Sequence, residues 1–267
     1  MTGFAGTARY ELLMQLRKPA IWIATVLPFG LYALFAVLGQ DSTGLARHRL
    51  EADPKAWIVE ALGWFLPVMP MVFGIVLADR LVRDRRLRVA ELLDATPTSG
   101  GVRLVGKYLG SCAATAAPAA LVYLVAAVAF TVWRGRPAAL WWALAAFTLL
   151  VVPLLLLVGS LSFLGPQLMP TPLFRVLVVA LWFWAGATEV ESQVPSLAGT
   201  LLSLTMDYPL KVFFASPNAS TGPAGAALDF LRPRATVGTA LLSLALILAL
   251  AAAILAVARA LSARTGE

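Results

Sequence analysis

The chain has 267 residues, of which 60% are apolar and only 13% charged, with a formal charge of +7. A soluble domain carries about 25% charged residues, so this composition excludes an ordinary water-soluble core and points to hydrocarbon as the solvent. One cysteine, Cys112, and one histidine, His48, exclude an intrachain disulfide framework and leave too few ligands for a Cys/His metal site.

Residues 8–18 predict an amphipathic helix. Glu11, Gln15 and Lys18 recur at i, i+4 and i+7 and share one face, while Tyr10, Leu12, Leu13, Met14 and Leu16 cover much of the rest. Such a helix suits the headgroup plane, with its cations on phosphate. Pro19 holds Lys18 in extended geometry and separates this helix from the first long apolar segment.

A membrane-spanning helix needs roughly 20 mainly apolar residues. Six segments meet or approach this requirement: 20–39, 57–78, 104–133, 138–164, 173–188 and 236–258, the fifth being short. With the N-terminus inside, 13 of the 21 Lys and Arg residues fall on the inner side and 8 on the outer. The inner side then carries all of the net charge, which predicts both termini in the cytoplasm. Arg134 and Arg136 run against this bias. Trp57, Trp64, Trp133, Trp141 and Trp142 cluster near the predicted outer ends, as interfacial belts do.

Between the second and third segments, residues 79–101 begin with a dense run of arginines (Arg80, Arg83, Arg85, Arg86, Arg88). Val89, Leu92, Leu93 and Thr96 come next at i, i+3, i+4 and i+7 and predict a two-turn amphipathic helix, with Glu91 and Asp94 on another face and Pro97 ending it. So short a helix is marginal alone in water and gains stability by laying its apolar face in a partner's groove. Gly101 to Tyr108 matches a phosphate-binding loop except at its last position. Tyr108 cannot hold magnesium as Ser or Thr would, so the match is read as chance. Gly106 and Gly110, continued by Ala114 and Pro118, form a small-residue face suited to close helix packing.

Trp182, Phe183 and Trp184 form an aromatic block read mainly as helix packing, with a transport-pathway wall as the sharper alternative. Residues 189–234 predict an outer region of short helices dipping into the leaflet. Asp207, Pro209 and Lys211 argue there against a seventh span. Asn218-Ala219-Ser220 is a glycosylation sequon that has meaning only in a eukaryotic secretory pathway. Ionisable pairs near the midplane, which a proton-coupled carrier needs, are missing from the predicted spans.

The run Glu91-Leu92-Leu93-Asp94-Ala95-Thr96-Pro97-Thr98-Ser99, with Leu104-Val105-Gly106-Lys107-Tyr108-Leu109-Gly110 after it, resembles the permease subunits of the ABC-2 family of ABC transporters, and the architecture is similar over the whole chain. The resemblance implies one all-α transmembrane domain, 1–267, with six spans and an elbow helix at 5–18 that includes Tyr10, Glu11, Leu13, Met14, Arg17 and Lys18. It makes 79–101 the coupling-helix loop, with Val89, Glu91, Leu92, Leu93 and Asp94 docking into a cytosolic ABC ATPase. Further implications are a second permease chain, identical or related, and an exporter in the bacterial inner (plasma) membrane. The chain itself would be no enzyme and would bind no cofactor, with ATP and magnesium held by the partner ATPase. Family substrates include drugs, peptide antibiotics, lipids and lipid-linked glycans. The alternative is a carrier or channel working without an ATPase.

Overall fold

The computed structural model describes residues 3–38, 53–78, 100–187, 195–223 and 228–264. The described chain is helical without a strand. Its helices are α1 (Gly3–Leu16), α2 (Pro19–Leu38), α3 (Pro54–Leu77), α4 (Gly100–Arg134), α5 (Ala138–Leu168), α6 (Thr171–Trp182), α7 (Asp207–Phe214) and α8 (Val237–Arg264). Each of the six apolar segments overlaps one of these helices, but among the described residues those at Pro19–Leu31, Leu66–Leu77 and Thr171–Gly186 are shorter apolar stretches. Three helices, α4, α5 and α8, are long and apolar enough to cross a membrane.

Local chemistry sets the boundaries. Pro19 opens α2 and Pro54 opens α3, positions where a missing N–H costs nothing. Asp53 caps α3 by accepting the Lys55 backbone N–H at 2.9 Å. Gly135, at φ +66°, makes the reversal between α4 and α5. α5 carries a π-helical turn at Phe147–Val151, which ends two residues before Pro153. The proline has no N–H to give and crowds the carbonyl one turn back, and the wider turn makes room for it. A second π turn, Phe183–Ala187, prolongs α6.

α3 and α5 form the centre of the bundle, contacted by α2, α4, α6 and α8. Ile58, Leu66, Met69 and Phe73 of α3 pack into one core with Leu150, Leu154, Leu157 and Val158 of α5, Phe174 and Val178 of α6 and Ile247 of α8. Glycines set the closest approaches: a Cβ at Gly74 would stand 3.1 Å from Val178, and one at Gly165 would run into the Phe174 ring. α4 and α8 turn rows of Leu and Val outward, which a water-facing helix would not do. At about 1.5 Å per residue, α4 is about 52 Å long and outreaches a hydrocarbon layer of about 30 Å.

Candidate functional site

Two polar assemblies stand out against this apolar bundle, one at each end. The first joins α1 to the beginning of α4. The N-terminal helix forms as expected and stops before Pro19, tied back where the Trp22 indole donates to the Leu16 carbonyl at 2.9 Å. Its orientation corrects the sequence reading. Glu11 and Gln15 do not face headgroups with Lys18 but are buried against α4, while Tyr10 is 69% exposed and Leu13 also faces outward. The Gln15 amide donates to Glu11 Oε1 at 2.6 Å and to Ser111 Oγ at 2.5 Å. The apolar and polar residues are so distributed round α1 that it has no single polar face, and Lys18 lies beyond its end, in the link to α2.

The reason lies in α4. A Cβ at Gly110 would be 2.6 Å from the Ala8 carbonyl oxygen, and one at Gly106 would be 3.1 Å from Thr7 Cβ. Only glycine lets the two helices approach so closely, and that approach draws Glu11 and Gln15 onto Ser111. The small-residue face is therefore an intrachain contact. Met14 is half-buried beside it, and Arg9 and Arg17 are exposed. The segment from Gly101 to Tyr108 lies within α4 and is helical, not the loop that a phosphate cradle requires. The Tyr108 hydroxyl donates to the Leu156 carbonyl at 2.8 Å. Cys112 is buried beside Tyr108 and Phe163.

The second assembly caps the opposite end. Of the region expected to hold short dipping helices, 195–206 is a series of turns, and α7 has eight residues, too few to span. Pro209 sits in its first turn, where proline is tolerated. Both ends of α7 are left-handed non-glycine residues, Met206 at φ 58° and Ala215 at φ 53°, each of which costs about 1–2 kcal/mol. Charges that sequence reasoning did not single out as a pair organise this cap. Asp207 is buried, and its Oδ2 accepts from Gly199 N at 3.0 Å, from the Thr205 hydroxyl at 2.9 Å and from the Ser203 hydroxyl. Arg232, 2% exposed, donates to the Ala198 carbonyl at 3.1 Å and pairs with Asp229 at 3.2 Å. The Ser243 hydroxyl of α8 donates to the Leu201 carbonyl at 2.7 Å, and the Tyr208 hydroxyl to the Pro233 carbonyl at 2.6 Å. Burial pushes the Asp207 carboxyl above the usual carboxylate range, and the hydroxyl and amide donors offset only part of that.

The aromatic block divides. Trp182 is fully buried in the core, its indole nitrogen without a hydrogen-bond partner, while Phe183 and Trp184 face outward. Trp57 stacks on Phe130 at 5.0 Å and belongs partly to the core, whereas Trp133 and Trp141 are exposed. Val89, Glu91, Leu92, Leu93, Asp94 and His48 lie outside the described residues. No three of His, Cys, Asp and Glu come together as a metal site among the described residues. Compared with known proteins, the chain matches no family model and no curated protein.

Proposed function

We propose that this chain is the permease subunit of an ATP-driven exporter of the ABC-2 type. Two copies, or this chain and a related one, would form the translocation path, and separate cytosolic ATPase subunits would bind ATP and magnesium. The observation that carries the reading is the place of α1. It lies against the first turns of α4, the end of the bundle at which the segment carrying Leu92 and Leu93 enters α4. An elbow helix beside a coupling loop requires this arrangement. ATP-driven closure of the ATPase pair would push the coupling segment, and α4 would receive that push together with α1 locked upon it.

Charge supports the same orientation. Arg9, Arg17, Arg103, Lys107 and Arg259 gather at the α1 end, the side on which Lys and Arg accumulate in the cytoplasm. The test is capture of an ATPase. Leu92→Asp combined with Leu93→Asp is expected to abolish co-purification of a cytosolic ATPase from cells, because a charge in a buried docking face costs about 2–5 kcal/mol. Unchanged recovery would exclude these docking residues. Solute transport by the purified chain alone would favour a self-sufficient carrier instead.

A further inference from the structure

We propose that the α4–α5 turn and the adjoining start of α3 form a seat for the headgroup of an anionic phospholipid, built from Lys55, Arg134 and Arg136 among Trp133, Trp141 and Trp142. Two of the cations are held on aromatic faces. Lys55 Nζ stands 4.8 Å from the centre of the Trp142 ring, and the Arg134 guanidinium 3.9 Å from that of Trp133. Such stacking fixes a cation at the depth of an indole, and indoles settle between acyl chains and headgroups. The turn at Gly135 brings Arg136 to the same rim. Trp133 and Trp141 are 68% and 66% exposed, and Val132, one residue earlier, is also exposed.

The rim thus offers an apolar ledge with cations beside it. Asp53, two residues before Lys55 in the chain, is engaged in capping α3. A soluble anion would use only the cations, and a zwitterionic lipid would bring its own positive charge to them. An anionic phospholipid satisfies both halves of the surface, its phosphate on the cations and its acyl chains along the exposed Val132, Trp133 and Trp141. This gives a role to two arginines that run against the cation bias of the chain. It depends neither on which side of the membrane the rim faces nor on any ATPase.

The full chain in phosphatidylcholine vesicles containing phosphatidylglycerol, with a photoreactive phosphatidylglycerol analogue, tests the seat by mapping the labelled peptides. Label is expected on the peptide carrying Trp133 to Trp142, well above that from a photoreactive phosphatidylcholine. It should fall about fivefold for each cation removed, in Arg134→Gln with Arg136→Gln and, as a milder change that leaves the turn intact, in Lys55→Gln. Equal labelling by the two analogues, or unchanged labelling in both variants, would overturn the proposal. Loss of label to millimolar inorganic phosphate would do so too, by marking a soluble-anion site.

Discussion

Asp207 and Arg232 show what a charge needs in order to stay in so apolar a chain. Neither relies on the other. The carboxylate is held by two hydroxyls and one amide, and the guanidinium by backbone carbonyls and Asp229. Each stitches the turns at 195–206 to α7 or to the segment before α8, a job that helical hydrogen bonding cannot do for irregular backbone. The sign of the resulting pH dependence is set by burial. A carboxyl whose folded value is raised above its ordinary value of about 4 contributes stability that is fully present below that value and lost as pH rises through the raised one. The cap is therefore expected to become more stable as pH falls from neutrality toward the ordinary carboxylate value, read as rising hydrogen-exchange protection over 195–214 once the intrinsic pH dependence of exchange is divided out. Asp207→Asn, which is never charged, should flatten that dependence. A wild-type cap that loosens over the same interval would contradict the assignment. Serines and threonines beside Asp207 are plain in the sequence, but their convergence on one oxygen is not, because it depends on the left-handed entry at Met206.

α1 was legible as a helix and illegible as a face. Pro19 accounts for its stop, although the helix runs from Gly3 to Leu16 and not from 8 to 18, and the spacing of Glu11, Gln15 and Lys18 predicted one shared polar face on a helix lying in the headgroup plane. Helical periodicity reports which residues share a side and is silent on what that side meets. The decision belongs to Gly106 and Gly110, about a hundred residues further along. Gly110→Leu should push α1 off α4, costing about 1–3 kcal/mol, as overpacking does. The check is hydrogen exchange of the α1 amides, expected to accelerate while α8 stays unchanged. Unaltered exchange in α1 would mean that the close approach does not hold it. The π turn before Pro153 is a milder case, since the proline is visible in sequence while the way the helix absorbs it is not.

For the whole molecule, the alternation of helix directions puts α1, the start of α4 and the end of α8 at one end, and the Asp207–Arg232 cap at the other. If the α1 end is cytosolic, Ser220→Cys should react with a membrane-impermeant maleimide in intact cells. Ser220 is exposed, and the native Cys112 is buried and should stay silent. Reaction only after permeabilisation would invert the molecule.

Composition and periodicity alone determined that this chain is helical, that hydrocarbon is its solvent, and where its apolar helices run, because these properties are sums over neighbouring residues. Tertiary structure alone decided that Glu11 and Gln15 turn inward, that Trp182 leaves Phe183 and Trp184 for the core, and that two buried charges assemble the cap. Those outcomes depend on contacts between segments far apart in the chain, where one missing Cβ or one left-handed residue selects which of two faces is covered.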